Sequence, residues 1–225
     1  VRIVAIQSLD GTPCPGLPME PGANTAGKAL LAMLQGLDAL GHPRPNRIEV
    51  RIRKGIPLGS GMGGSAASAV AAVTALNALL HDPLPTTSLY PWAMAGEAVA
   101  SDAPHGDNVG PQLLGGLVLA LPDRLLRIPL PSGLHATLVH PHQRLETRRS
   151  REVLAAPHAL ETVVEQSGHL ARFLAGCFRG ELELIREGLR DVLVEPRRAP
   201  LIPGFREVRD AALGAGALGA GISGG

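Results

Sequence analysis

The sequence has few aromatic residues, little net charge and almost no cysteine. One Trp, one Tyr and three Phe occur in 225 residues, too few for the stacking platforms that bind single-stranded nucleic acid. The net charge of +1 leaves no basic surplus for a phosphate backbone. Cys14 and Cys177 are far apart and lack metal-site or redox spacing, so we interpret them as free thiols. With no leader-like segment and no apolar run of about 20 residues, we expect a cytoplasmic protein that binds neither nucleic acid nor membrane.

Apolar residues, by contrast, make up 45% of the chain, which is typical of a packed globular protein. The segment NRIEVRIRK (46–54) alternates apolar and charged residues and predicts a strand with one wet face. Helical spacing predicts helices over 24–40, with Asn24 or Thr25 as N-cap, and over 65–80. Further segments read as strands at 116–121, 124–130 and 134–140, and as helices at 87–100, 148–155, 159–178, 180–194 and 205–213. Strands and helices without strict alternation favour an α+β fold.

The glycine-rich segment GIPLGSGMGGSAAS (55–68) joins the predicted strand to the predicted buried helix. Glycines let backbone N–H groups converge on one point, and a helix start adds unpaired N–H groups and the positive end of the helix dipole. Phosphate is the ligand that such a loop and helix start typically bind. The spacing is not that of the usual P-loop, since no Lys follows Gly63 or Gly64. A plain flexible connector is the alternative, and it would not be joined to regular elements on both sides.

The run P-L-G-S-G-M-G-G-S-A-A resembles the central signature of the GHMP kinases, P-x-x-x-G-L-G-S-S-A-A. Met62 replaces the common Leu, and Gly64 stands where the family often has Ser, which removes one hydroxyl. The resemblance implies a small-molecule kinase that uses ATP and Mg²⁺. It assigns the nucleotide to a continuous set of loop and helix residues: Pro57, Leu58, Gly59, Ser60, Gly61, Met62, Gly63, Gly64, Ser65, Ala66, Ala67 and Ser68.

Three further segments resemble the branch of this family that phosphorylates homoserine. They are GEAVASDAPHGDNVGPQLLGG (96–116), ETRRSREVL (146–154) and EPRRAPLIPGF (195–205), and they follow the family's order. The last residues, GAGISGG, resemble the start of a third signature. The implied fold is an α+β GHMP kinase fold, with a ribosomal-protein-S5-like β-α domain at 1–132 and a ferredoxin-like α/β-plait domain at 133–225. Because the first signature has no match and the third stops short, we expect the chain to be a fragment that is truncated at both ends.

The resemblance also implies roles for single residues, each of which alone would be an ordinary polar residue at the surface. Ser65 and Glu97 correspond to Mg²⁺ ligands, and hard oxygen ligands are what Mg²⁺ prefers. Asn108 and Asp107 correspond to catalytic positions, although the resemblance does not make Asp107 a firm catalytic base. Arginine suits a carboxylate. The implied substrate contacts are His105, Asn108, Thr147, Arg151 and Arg198.

Together these resemblances imply ATP-dependent phosphorylation of the side-chain hydroxyl of L-homoserine to O-phospho-L-homoserine, a step of threonine biosynthesis. The implied partners are the small molecules ATP and L-homoserine, and a homodimer is left open. Two alternatives stay open at this point. One is another GHMP kinase with a different alcohol, such as mevalonate. The other is a nucleotide-binding fragment without catalysis.

Overall fold

The computed structural model describes residues 1–100, 105–141 and 152–223. The chain packs as two compact units, Val1–Arg127 and Ile128–Gly225. The domain boundary that the sequence placed after residue 132 stays a prediction.

The first unit contains a parallel pair of strands, β1 (Arg2–Ser8) and β2 (Glu49–Lys54). Ser8 pairs with Lys54 at the end of the register, and an irregularity lies between Ile3 and Ala5. The predicted alternation along β2 is confirmed, because Ile52 is buried while its neighbours in the strand are exposed. The apolar face of this pair therefore points into the core of the unit, and the chain leaves β2 at the glycine-rich segment.

Helices form the rest of the core of the first unit. They are α1 (Thr25–Ala39), α2 (Gly64–Ala78), α3 (Tyr90–Glu97) and α4 (Gly106–Leu114). The predicted N-cap of α1 is Asn24, whose Oδ1 accepts from the Ala26 and Gly27 amides. A single turn of 3-10 helix, Thr86–Leu89, precedes α3, so the predicted helix over 87–100 is shorter and begins differently.

Helix α3 lies very close to α1 and α2 because two glycines remove side chains at the contacts. A Cβ atom on Gly96 would lie 2.5 Å from the Thr25 carbonyl oxygen and 2.9 Å from the Cβ of Ala69. Similarly, the indole of Trp92 rests directly against Gly36 of α1, in space that a Cβ atom there would fill. These approaches fix the last turn of α3, which carries Glu97, against the start of α2.

Two short strands, β3 (Leu117–Ala120) and β4 (Leu125–Ile128), form a second two-stranded sheet and confirm two predicted strands. The predicted strand over 134–140 is wrong, since that segment has no regular structure. A strand needs a partner for its backbone groups, and none of the described residues pairs with this segment.

The second unit is mainly helical in its described part. Its elements are α5 (Leu160–Arg179), α6 (Leu182–Gly188), α7 (Glu195–Arg198) and α8 (Phe205–Gly214). Gly180, with φ of +70°, ends α5 and turns the chain back into α6. At the contact, the buried ring of His169 on α5 bonds the Glu187 carbonyl through Nδ1 over 3.1 Å. The predicted helices over 159–178 and 205–213 are confirmed. The helix predicted over 180–194 is shorter, since it ends at Gly188, and half of the one predicted over 148–155 lies outside the described residues.

Both cysteines are free thiols, as predicted, with Cys14 half-buried and Cys177 buried. Within the described ranges, none of the helices combines the length and the apolar character needed to cross a membrane.

Candidate active site

The glycine-rich segment forms a tight loop that ends in a helix start. Gly59, Gly61 and Gly63 have φ values of +69°, +71° and +66°, a region that L side chains rarely adopt. Gly63 is the N-cap residue of α2, and no side chain in the described part of the chain caps this helix. The N–H groups of the first turn therefore point out of the helix with no side-chain acceptor. An anion at this point would satisfy them.

The predicted nucleotide-binding residues include an exposed loop segment and a buried position on α2. Pro57, Leu58 and Gly59 are exposed, whereas Ala66 is fully buried. Ser60 Oγ is buried and has no hydrogen-bond partner among the described residues. Such a hydroxyl is costly unless another group satisfies it.

Ser65 and Glu97 meet at the start of α2. The Ser65 hydroxyl donates to Glu97 Oε1 over 2.9 Å, and only 7% of Glu97 is exposed. Burial raises the pKa of the Glu97 carboxyl, and the charge of Asp107 adds to that shift. The Ser65 hydrogen bond, His105 and Lys54 oppose it. The site therefore holds a partly desolvated carboxyl beside a hydroxyl, a pair of hard oxygen atoms.

Lys54 is a site residue that the sequence analysis missed. Its Nζ donates to the Gly64 carbonyl over 2.8 Å and to Ser68 Oγ over 2.6 Å. Ser68 Oγ also donates to the Gly64 carbonyl, so the three groups form a closed cluster on the first turn of α2. Burial lowers the pKa of the Lys54 ammonium, with Cys14 and Glu97 opposing the shift. The lysine that the loop motif lacks thus comes from the end of β2.

Helix α4 brings Asn108 to the loop, and two more predicted residues, His105 and Asp107, lie at the start of this helix. His105 occupies the N-cap position, and Asp107 in the first turn accepts from the Asn108 amide over 3.0 Å. Asn108 lies against the loop, because its Oδ1 is 2.8 Å from the place that a Cβ atom on Gly63 would take. One turn further, Gln112 Nε2 donates to the Gly63 carbonyl over 3.0 Å. Gln112 is a second contact that the sequence analysis did not identify.

A groove of about 380 Å³ runs beside the loop, between β2 and α2. Its floor is apolar, formed by alanines of α2 together with Ile52 and Ile56. Lys54 and Ser68 stand at the end nearest the loop. The groove is therefore mostly apolar and lies next to the start of α2.

The remaining predicted substrate residues lie in the second unit or outside the described residues. Thr147 and Arg151 lie outside the described residues. Arg198 belongs to the second unit, where it ends α7 and is 9% exposed. Its neighbour Arg197 donates to the Leu154 and Pro157 carbonyls, which gives that arginine a structural role.

The described residues contain no cluster of three or more His, Cys, Asp or Glu side chains that could hold a metal ion by themselves. Ser65 and Glu97 place two oxygen atoms side by side that could act as ligands. A cation held there would need its other ligands from phosphate oxygens and water, which is the way Mg²⁺ is usually bound next to a nucleotide.

Comparison with known proteins agrees with this geometry. The family model described as GHMP kinases N terminal domain matches residues 24–116, and the model described as GHMP kinases C terminal matches residues 173–225. The chain is 55% identical over 224 residues to the homoserine kinase of Xylella fastidiosa (strain 9a5c), covering 100% of this chain and 67% of that protein. It is 42% identical over 233 residues to the homoserine kinase of Chlorobium phaeobacteroides (strain DSM 266), covering 100% of this chain and 70% of that protein.

A solved structure is also similar over the whole chain. The crystal structure of homoserine kinase from Cytophaga hutchinsonii matches with a TM-score of 0.86 and 40% identity, covering 99% of this chain and 69% of that one. A second structure, of a putative homoserine kinase from Listeria monocytogenes, matches with a TM-score of 0.57 at 21% identity and shows the fold alone. The chain spans about two thirds of the length of the relatives it matches.

Proposed function

We infer that this chain, which belongs to the homoserine kinases of the GHMP kinase family, phosphorylates the side-chain hydroxyl of L-homoserine. The family and the α+β GHMP kinase fold that the sequence predicted are thereby confirmed. The reaction makes O-phospho-L-homoserine, a step of threonine biosynthesis. The observation that carries the proposal is the uncapped start of α2 beside the Ser65–Glu97 pair, in a chain 55% identical to a homoserine kinase.

The phosphate chain of ATP binds at the loop. The amides at the start of α2 point out of the helix, and the positive end of the helix dipole favours an anion there. The buried Ser60 hydroxyl, which lacks a partner among the described residues, gains one from a phosphate oxygen. The positive φ of Gly61 and Gly63 gives the loop a backbone conformation that L side chains rarely adopt, and a Cβ atom on Gly61 would meet nothing within 4 Å.

Ser65 and Glu97 fit a magnesium ion bound together with the nucleotide. Their oxygen atoms are 2.9 Å apart, and both belong to the hard ligand class that Mg²⁺ prefers. When bound, Mg²⁺ neutralises charge on the phosphate oxygens of the nucleotide. Burial raises the pKa of the Glu97 carboxyl, and a bound cation would favour its ionised form.

The base and sugar of the nucleotide fit the groove between β2 and α2. Its alanine floor suits a flat apolar ring, and its mouth opens beside the loop where the phosphates bind. Lys54 lies at the junction of the groove and the loop, so its ammonium can contact the nucleotide while it holds the Gly64 carbonyl.

Homoserine binds on the α4 side of the loop. Asn108 contacts the loop at Gly63, and His105 and Asp107 lie in the same first turn. Asn108 orients the hydroxyl of homoserine, and Asp107 provides a carboxylate near the point where the hydroxyl loses its proton. Thr147, Arg151 and Arg198 bind the α-amino acid part of homoserine, with the arginines on its carboxylate. Phosphoryl transfer then depends mainly on position and on charge neutralisation.

A panel of alcohols tests the proposal directly. The purified protein is supplied with ATP and Mg²⁺ and with homoserine, mevalonate or galactose in turn, and ADP release is followed. Turnover with homoserine alone is expected. Turnover with mevalonate instead, or nucleotide binding with no turnover of any alcohol, would contradict the proposed function.

The assignment of Arg151 has its own test. Arg151→Ala is expected to raise the KM for homoserine by at least about tenfold, the loss of one charge-assisted contact, with little change in the KM for ATP. Arg206→Ala, at an exposed position of α8, is the matched control. Equal increases in both KM values for Arg151→Ala would contradict the assignment.

A further inference from the structure

The peptide bond between Gly63 and Gly64 is the least restrained link at the start of α2. Neither residue has a Cβ atom, so steric restriction of the two dihedrals that rotate this peptide plane is minimal. The N–H of this plane belongs to Gly64, the first residue of α2. If the plane rotates, that N–H turns away from the position at which the helix start binds an anion.

We propose that Gln112 is a positioning residue that locks the Gly63–Gly64 peptide plane in its phosphate-binding orientation. The inference rests on the proposed function for its kinetic consequence. Its structural content concerns the protein's own backbone and can be measured without any ligand.

The Gly63 carbonyl accepts two hydrogen bonds, one for each lone pair. Ala67 N–H donates to it over 2.9 Å as the first bond of the helix, and Gln112 Nε2 donates over 3.0 Å from another helix. Because the peptide unit is planar and trans, fixing the C=O direction also fixes the N–H of Gly64 on the opposite side. The two donors together therefore hold the amide that faces the phosphate.

Gln112 is itself held in place by the packing of α4. Val109 is fully buried and Leu113 is 9% exposed, so the helix cannot turn about its axis without losing core contacts. On the same side, Asn108 and Gln112 fill the space beside Gly63, since a Cβ atom there would lie 2.8 Å from an amide atom of each. Gln112 thus donates a hydrogen bond from a rigidly packed helix. It contacts a loop whose glycines have no side chains to restrict the backbone.

The sequence of this loop explains why an external restraint is needed. Gly64 occupies the position at which the signature often has Ser, so this chain has a Gly-Gly peptide where a residue with a side chain would limit rotation. The resemblance over 96–116 assigns no role to Gln112, so it does not predict this contact.

The ligand-free test measures hydrogen exchange at the Ala67 amide by NMR. Rotation of the Gly63 carbonyl removes the acceptor of that amide. Gln112→Met keeps the length and volume of the side chain and removes the donor. It is expected to speed exchange at Ala67 by about fivefold, the factor for one neutral hydrogen bond. Gln35→Met, at an exposed position of α1, is the matched control and should leave the exchange unchanged.

The functional test adds ADP binding and a rescue. Gln112→Met is expected to weaken ADP binding by about fivefold for the same reason, and to raise the KM for ATP without changing the KM for homoserine. Adding Gly64→Ala restricts the peptide and should restore both ADP affinity and Ala67 protection. A Cβ at Gly64 would lie 3.3 Å from Ile56 Cγ2, so only a small side-chain adjustment is required.

The outcomes separate the two proposals. Ala67 exchange and ADP affinity within twofold of the unmodified protein would overturn the role of Gln112. Loss of affinity that Gly64→Ala does not restore would also overturn it, because general damage is not repaired by restricting one peptide. If the unmodified protein fails to bind ADP, the proposed function is wrong, and Ala67 exchange alone decides whether Gln112 locks the peptide.

Discussion

The hydroxyl of Ser65 donates to Glu97 Oε1 over 2.9 Å, across 32 positions of the chain. The first residue is in the opening turn of α2 and the second is the last residue of α3. Their contact depends on Gly96, which lets α3 approach α1 and α2 without an intervening side chain. A helix start and a buried carboxyl are in this way combined in one small site.

Replacing Glu97 with Gln should make the protein more stable and less able to use Mg²⁺. The pKa of Glu97 is raised mainly by burial, so the folded state holds its proton more tightly than the unfolded state. Stability therefore falls as the pH rises from the ordinary carboxyl range through the raised pKa. Glu97→Gln removes that fall and should add about 1 kcal/mol to the free energy of unfolding at neutral pH, measured by urea denaturation.

The same variant should lose Mg²⁺-dependent ADP binding by at least about tenfold, since the carboxylate is a proposed ligand. In the unmodified protein, Mg²⁺ affinity should rise with pH over the window in which stability falls, because the ion binds the deprotonated form. Glu207→Gln, at an exposed position of α8, serves as the control and should change neither property. A lower free energy of unfolding for Glu97→Gln would contradict the inference that burial of this carboxyl destabilises the folded protein.

Two serines of α2, three residues apart, should have different effects. Ser65→Ala removes the hydroxyl next to Glu97 and is expected to raise the Mg²⁺ concentration for half-maximal activity by about tenfold. Ser68→Ala removes a partner of Lys54 and should act on the KM for ATP, leaving the Mg²⁺ requirement nearly unchanged. Indistinguishable Mg²⁺ titrations for the two variants would argue against a metal role for Ser65.

Alanine substitutions at two glycines of the loop separate the cost of backbone strain from the cost of steric crowding. Gly61 and Gly63 have nearly the same φ, +71° and +66°, so alanine at either should cost about 1–2 kcal/mol of conformational strain. Only Gly63 has neighbours at 2.8 Å, from Asn108 and Gln112, whereas a Cβ on Gly61 would meet nothing within 4 Å. Gly63→Ala should therefore be destabilising by roughly 1 kcal/mol more, as measured by urea denaturation. Equal losses would show that α4 adapts to the extra atom.

Lys54→Met should raise the KM for ATP and leave the KM for homoserine unchanged. The variant keeps the length of the side chain within the groove but removes the donor to the Gly64 carbonyl and to Ser68. We expect the KM for ATP to rise by about tenfold, the loss of one hydrogen bond to a charged group, with an unchanged KM for homoserine. Lys28→Met, at an exposed position of α1, is the matched control. A change in the KM for homoserine would contradict the proposal that Lys54 contacts the nucleotide.

The phosphate loop and its two flanking elements could be predicted from the sequence because they depend on local chemistry. Alternation predicted β2, and glycines followed by helix formers predicted the start of α2. The pairing of Ser65 with Glu97 required the family pattern, since no local rule joins residues on two helices. Its observed geometry agrees with that pattern.

Lys54 could have been found by parity along the strand. Every second residue from Ile48 through Val50 and Ile52 lies on the apolar face of the strand, and Lys54 is the next in that series. A charged group on an apolar face is costly unless it has a partner. Gln112 had no such signal, because its contact depends on how α4 packs against the loop. The segment 134–140 shows the reverse error, an alternating pattern with no neighbouring strand to pair with in the described chain.

The contact of Trp92 with Gly36 makes α3 an optical reporter of its own site. The chain has one tryptophan, and it lies on the helix that ends at Glu97. Its indole packs against α1, so a small shift of α3 changes the surroundings of the only indole that fluoresces. Titration of the unlabelled protein with Mg²⁺ and ADP can therefore be followed by intrinsic emission, and the signal reports the helix that carries the proposed metal ligand.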